Sequence, residues 1–452
     1  MTNEKALKES SVGKLMVTLC LPVIMIMLVQ VLYNMADVYF LGRTGDPLQV
    51  AAVSLASPVF SVFSALNTLI GFGGCTAASL ALGRGKKELV KKYSSFVLYA
   101  GLILGVLLGA GTLIFMKPLL RVLGTDVQTA AHTQNYLRMM ALGAPFAVAG
   151  GALSNTIRSD GDGKSAVMSN MTRTFLNILL DPLFISAFSW SVTGAGLATL
   201  LGNAVSFVML LMIMRRKKGF SVSLRDFTLH PSVSVKILGL GFPMASGTLL
   251  ASFSFAFSNR LLVSYGNTAV AANSVAGKAS MLIIMIVMGL CMGMQPAISY
   301  AFGAKDRKRL RSILTGTGLI SFVVAAALSI AFYLVRDAFV SAFLDDPQVL
   351  ALGRRMIVGA LLTAPVSGVY QLCSVYLQST GKVSYATITA LMQKGLVYIP
   401  VLYVMNTAFG LDGLIYAGAV ADCISAVAAA FFCLAWAKAQ KTHDIPVALM
   451  KS

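Results

Sequence analysis

The sequence predicts an all-α polytopic membrane protein: twelve transmembrane helices in two six-helix lobes, related by pseudo-two-fold symmetry along the membrane normal. Composition, a series of long apolar segments and an internal repeat together predict it. Of the 452 residues, 57% are hydrophobic and 12% charged, and the mean hydropathy is +0.79. A soluble chain is about half apolar and about a quarter charged, so a water-soluble multidomain enzyme is excluded. A span needs about 20 mostly apolar residues, and the chain holds enough for about a dozen with little left over.

The first fourteen residues are polar and mixed in charge. The apolar run at 15–41 is too long for a cleaved signal and is read as span 1. Spans 2 to 6 follow at 50–82, 94–116, 133–157, 165–186 and 194–214. Spans 7 to 12 lie at 237–263, 269–302, 312–335, 356–379, 384–406 and 413–437. These segments are long and nearly unbroken by charge, so they are helices rather than barrel strands. Prolines within them, such as Pro22, Pro145, Pro243 and Pro365, are tolerated where neighbouring helices satisfy the freed backbone groups.

The formal charge of +19 would suggest nucleic acid on a soluble chain. In a membrane chain a basic excess marks loops at the cytoplasmic face. With both termini inside, the inner segments carry 25 Lys and Arg residues and the outer loops six, which excludes the reverse orientation. No nucleic-acid partner is expected. The six cysteines fall in apolar stretches without metal-like spacing and are expected to be small buried side chains.

The chain also repeats itself. Residues 22–45 align with 243–266, Ala144-Pro145 with Ala364-Pro365, and Gly163-Lys164 with Gly381-Lys382, at an offset that stays between 218 and 221. Each half holds an even number of spans, so both halves share one orientation. The expected domains are an N-terminal lobe at 1–214, a basic cytoplasmic linker at 215–236 and a C-terminal lobe at 237–452. Secondary transporters built this way bind substrate between the halves and work by rocking. A cytoplasmic interaction module in the linker is conceivable, but about twenty residues are too few for a folded domain.

Only Asp37, Asp181 and Asp422 of the 17 acidic residues lie inside spans. A carboxylate in hydrocarbon costs at least about 2.5 kcal/mol, which makes each a functional candidate. Asp37 lies about 6 Å below the outer end of span 1, and Asp181 about 7.5 Å below that of span 5. Asn177 shares a helix face with Asp181 one turn deeper, and Thr199 on span 6 lies near 7.5 Å. The Gly194-Ala195-Gly196 stretch lets span 6 approach closely and offer a carbonyl, for instance that of Ala195. This oxygen-rich layer suits a small cation such as Na⁺ at Asp37, Asn177, Asp181 and Thr199. It can equally hold a proton, because adjacent carboxylates raise one another's pKa. Two structural alternatives stand beside this: Asp37 as a polar link between helices, and Asp181 closing span 5 ahead of Pro182.

Asp422 lies near 13 Å below the outer end of span 12, with Lys278 on span 8 at similar depth and Lys394 on span 11 a little deeper. A charge-neutral network is the economical reading, since an unpaired buried charge is costly. Whether Asp422 also meets substrate is left open. Gln295, beside Pro296 on span 8, is a further candidate for the same cavity or network. Pro22 removes a backbone hydrogen bond to Thr18 and is a candidate hinge. Arg138 and Arg260 near span ends are expected to snorkel, and Arg173 is ambiguous. Gly161-Asp162-Gly163-Lys164-Ser165 imitates the end of a phosphate-binding loop, but Arg158 stands where a glycine is needed and no strand precedes it. All three histidines lie in loops or tails, and no nucleophile–base constellation is visible.

These residues resemble those of the multidrug and toxic compound extrusion (MATE) transporters, in the prokaryotic branch with MepA-like and DNA-damage-inducible-type members. The similarity spans essentially the whole chain. It is carried by Pro22 with Asp37 fifteen positions later, by Asn177-Ile-Leu-Leu-Asp181-Pro182-Leu-Phe-Ile185, and by Gln295-Pro296, Gly303-Ala-Lys305 and Ile399-Pro400. The resemblance implies the MATE fold, the inner (plasma) membrane of a prokaryote, and no enzymatic cofactor. It also implies antiport of cationic, amphipathic, aromatic drugs against Na⁺ or H⁺ by alternating access. Coupling is implied in the N-terminal lobe, at Asp37, Asn177, Asp181 and Thr199. Another branch places acidic residues on spans 7 and 10, where this chain has no Asp or Glu. A monomer among membrane lipids is expected. The competing readings are a lipid-linked-precursor flippase, which calls for a basic cavity, and a non-transporting scaffold, which leaves the buried carboxylates unexplained.

Overall fold

A computed structural model describes residues 7–42, 46–188, 190–217, 219–341 and 347–443; within these, the side chains of residues 32–39, 41, 42, 186, 267, 347, 348 and 441–443 lie outside the description. All regular structure among the described residues is helical. The first half is built from α1 (Leu21–Gly42), α2 (Pro47–Gly83), α3 (Lys87–Ile114), α4 (Ala130–Thr156), α5 (Gly163–Asp181) and α6 (Ser191–Arg216). The second half comprises α7 (Pro231–Val263), α8 (Asn267–Gly293), α9 (Arg307–Leu334), α10 (Pro347–Ser379), α11 (Val383–Leu391) and α12 (Tyr398–His443).

Among the described residues, ten helical stretches are long and apolar enough to cross a membrane. One of them, Val383–Gln440, is 58 residues long, about 87 Å at helical rise against a hydrocarbon core of about 30 Å. It breaks at Gly410, whose φ of 60° and ψ of −136° are not helical, and so crosses twice. The other span beyond the ten is α5 with the turn Pro182–Ala187, whose many polar side chains lower its hydropathy. The total is twelve. The helices run a few residues past the expected apolar segments because polar caps extend them. Asp46 accepts from the Leu48 amide at the start of α2, and Asp162 accepts from the Ser165 amide and hydroxyl at the start of α5.

The chain forms two compact units, residues 1–249 with 299–306, and 250–298 with 307–452. In the first, α4 packs against α2, α3 and α6; in the second, α10 packs in the same way against α8, α9 and α12. The fourth helix of each repeat is therefore its hub. The α3–α4 seam shows why. Gly101, Gly105 and Gly109 recur every four residues on one face of α3, and a Cβ added at each would fall 2.9 Å from Ala149 Cα, 2.5 Å from Pro145 Cα and 2.3 Å from the Ala141 carbonyl oxygen. Small residues at this spacing let membrane helices meet backbone to backbone. The opposite face of α3 exposes Ile103, Leu107 and Ile114, as a lipid-facing surface requires.

The segment between the halves is not a free tether. Ser94 donates to the Ser221 carbonyl at 2.9 Å, Ser95 to that of Ser223 at 2.6 Å and Tyr99 to that of Val222 at 2.8 Å. Phe227 then stacks near Phe96, so the strap lies along α3 inside the first unit. The six cysteines are free thiols. Cys20, Cys75 and Cys291 are buried as expected, whereas Cys423 is exposed.

Candidate functional site

The candidate layer of the first unit is assembled by α1, α5 and α6. Just before α1, Met16–Cys20 forms a π-helical turn, which takes up the backbone spacing ahead of Pro22. Pro22 packs on the start of α5, where a Cβ on Gly163 would meet the proline ring at 3.0 Å. Asp37 lies on α1, and its side chain falls outside the described residues.

On α5, Asn177 and Asp181 are both fully buried, one turn apart on a single face. Asp181 ends the α-helix, and Pro182–Ala187 continues as a second π-helical turn. The start of α6 leans on that turn. A Cβ on Gly194 would sit 2.8 Å from the Phe184 carbonyl, and one on Gly196 would sit 2.7 Å from Met139 Cβ. Ala195, between them, is 1% exposed. This approach brings α6 within reach of α5: Asn177 Nδ2 donates to Thr199 Oγ1 at 3.3 Å.

Asn177 and Thr199 line a cavity of about 230 Å³ whose other polar walls are Gln30, Ser64, Asn67, Arg173 and Asn203. Arg173 donates to Gln30 Oε1 at 2.6 Å and reaches Asn203 Oδ1 at 3.5 Å. Asp181 does not form part of this wall. The sequence reading missed Gln30, Asn67 and Asn203 and left Arg173 open. Helical spacing held the signal for two of them, since Gln30 precedes Asp37 by two turns and Asn203 follows Thr199 by one. Arg138 and Arg260 are exposed, as snorkelling side chains are.

In the second unit, Asp422 Oδ1 accepts from Gln393 Nε2 at 3.1 Å. Asp422, Gln393 and Lys394 line one cavity. Gln393 and Lys394 both come from a third π-helical turn, Met392–Leu396. Lys278, expected beside them, does not line this cavity. Asn273, Gly277 and Ser280 of α8 face this cavity, while Lys278 is exposed and outside its wall, because one residue along a helix turns the side chain by about 100°. Gln295 is 1% exposed and lines neither cavity.

The MatE family model matches residues 22–183 and again 243–404. The chain belongs to the MATE family. The two matches begin on Pro22 and Pro243, the residues that open the internal repeat. Among known relatives, this MATE chain is 32% identical to the multidrug export protein MepA of Staphylococcus saprophyticus, over 93% of each chain. It is 30% identical to MepA of Staphylococcus aureus, again over 93% of each. Among solved structures, a MATE in the bent conformation superposes with a TM-score of 0.91 at 24% identity, covering 98% of this chain and 99% of that one. An outward-facing multidrug resistance MATE family transporter of the MOP superfamily gives 0.88 at 24% identity, covering 96% and 98%. The MATE chain is thus a multi-pass membrane transporter and not an enzyme.

Proposed function

We propose that this MATE chain exports cationic amphipathic drugs by alternating access, in antiport with Na⁺ or H⁺ bound at Asp37, Asn177, Asp181 and Thr199, with the Ala195 carbonyl as a further ligand. The observation that carries the reading is the burial of Asp181 one turn from the Asn177–Thr199 contact. A carboxylate so placed is costly unless protonated or matched by a cation. Facing in, the carboxylates attract an organic cation. Facing out, Na⁺ or H⁺ neutralises them and weakens the field that retained the drug, so release follows from differential affinity between the two loaded states. The similarity to MepA supports the substrate class. The charge split between inner and outer loops supports cytoplasmic termini, in the plasma membrane of a prokaryote, and the chain acts as a monomer of two lobes joined by the linker.

A flippase for lipid-linked precursors calls for a cavity dominated by basic groups. Among the described residues, Arg173 and Lys394 are each the one basic side chain of their cavity walls, which favours the drug reading.

The test is efflux of a fluorescent organic cation from vesicles under separate Na⁺ and pH gradients, with Asp37→Asn and Asp181→Asn beside the parent. Each variant is expected to lose at least about tenfold in gradient-driven efflux. Undiminished efflux in both ends the coupling proposal.

A further inference from the structure

The cavity of the second unit measures about 440 Å³, within the range of about 300–1,000 Å³ common to small-molecule sites. Its wall carries two opposite charges, Lys394 from the π-helical turn and Asp422 from α12. The two charges share this one cavity, yet no ion pair within 4 Å joins them. Gln393 holds the Asp422 carboxylate at 3.1 Å, and its own buried Oε1 has no hydrogen-bond partner among the described residues. Ser258, Ser280 and Tyr398 add hydroxyls, and Phe255 and Ile284 add apolar surface.

Two half-buried charges held apart carry a desolvation cost that a closed ion pair would partly offset. What they offer instead is a fixed positive pole facing a fixed negative one. The internal repeat sharpens the contrast. Arg173 precedes Lys394 by 221 residues and Asn203 precedes Asp422 by 219, both within the repeat's offset. The first unit therefore sets an arginine against a neutral amide, and the second sets a lysine against a carboxylate.

We propose that the second-unit cavity binds zwitterionic aromatic compounds, with Lys394 receiving the ligand's carboxylate, Asp422 its cationic group, and Phe255 with Ile284 its ring. Gln393 steadies the Asp422 carboxylate that receives the cationic group. The proposal takes its setting from the efflux reading above and is independent of the coupling ion.

A rhodamine that bears a free carboxylate and its methyl ester form a matched pair of probes, since only the carboxylate distinguishes them. Dissociation constants are read by fluorescence polarisation on the purified full chain in lipid nanodiscs. Lys394→Gln and Lys394→Met are expected to weaken the carboxylate dye about tenfold and the ester less than about twofold. Lys394→Arg keeps the preference, and Asp422→Asn weakens both dyes. The double variant K394Q/D422N, which leaves no uncompensated charge, guards against loss of fold and is expected to lose the carboxylate preference as well. An unchanged ratio of the two constants in Lys394→Met and in the double variant overturns the proposal. The coupling reading is judged by gradient-driven efflux in Asp37→Asn and Asp181→Asn, and this site by the ratio of the two dye constants in the Lys394 variants, so failure of the one and failure of the other are separately visible.

Discussion

Asn177 on α5 and Thr199 on α6 are joined side chain to side chain at 3.3 Å, between two glycines of α6, Gly194 against Phe184 and Gly202 against the Arg173 carbonyl, that keep the helices close. A buried hydrogen bond of this kind is worth about 1 kcal/mol. Thr199→Val keeps the volume and removes the hydroxyl, and is expected to reduce gradient-driven efflux about fivefold while protein yield is unchanged. Equal efflux at matched expression would remove Thr199 from the coupling layer.

Arg173 places a positive charge in the wall of the first unit's cavity. Two like charges about 10 Å apart repel by about 1.7 kcal/mol at an effective dielectric constant of about 20. Arg173→Met is therefore expected to tighten binding of a purely cationic dye roughly tenfold at low salt, with the gain shrinking as salt rises. Polarisation titrations at two ionic strengths check both parts.

Gly105 meets the backbone of Pro145 on α4, where an added Cβ would sit 2.5 Å from Cα. Gly105→Leu is expected to separate α3 from α4, costing at least about 3 kcal/mol by overpacking, and to appear as loss of a monodisperse peak in size-exclusion chromatography. Gly111, on the same helix with nothing within 4 Å of its added Cβ, tolerates alanine without loss.

Asp162 caps α5 outside the membrane and pairs with Lys217 at 2.9 Å. Burial alone would raise its carboxyl pKa, but the Ser165 hydrogen bonds and Lys217 outweigh that and hold it below the ordinary carboxylate value. A depressed carboxyl contributes stability above its unfolded pKa and loses it as pH falls through the folded value. Asp162→Ala is expected to cost about 1 kcal/mol by loss of the cap. The difference in melting temperature from the parent should stay constant from about pH 7 to about pH 5 and close only below about pH 4. A difference that closes above about pH 5 would contradict the depressed carboxyl.

Pro22 follows a π-helical turn and rests against Gly163. As a hinge, it is needed for the conformational change and not for binding. Pro22→Ala is expected to slow efflux several-fold while the affinity for a cationic dye is preserved. Unchanged efflux removes the hinge.

The twelve spans were legible because length and apolarity decide them, and even the short α5 stood out as the apolar segment 165–186. The repeat was legible because Pro22 and Pro243 recur in register, and the family matches start at the same two residues. Asn177 and Thr199 were legible as a pair because depth can be counted along a helix. Gln30, Asn67 and Asn203 were not, since depth says nothing of which face a helix turns to its neighbour. Nor does depth separate Lys278, which lies outside the cavity wall, from Gly277, which lines it. The strap along α3 was hidden because Ser94, Ser95 and Tyr99 grip carbonyl groups, and a backbone contact leaves no trace in side-chain chemistry.

The three π-helical turns, at Met16–Cys20, Pro182–Ala187 and Met392–Leu396, each hold one residue more than an α-turn. Tightening such a turn passes that surplus residue along the rod, rotating what lies beyond by about 100° and sliding it about 1.5 Å. At Met392–Leu396 the screw motion would withdraw Lys394 from the face of Asp422 and present another side chain in its place. A helix equipped in this way can exchange what it displays to the interior like a turning drum, with both ends still moored in the bilayer.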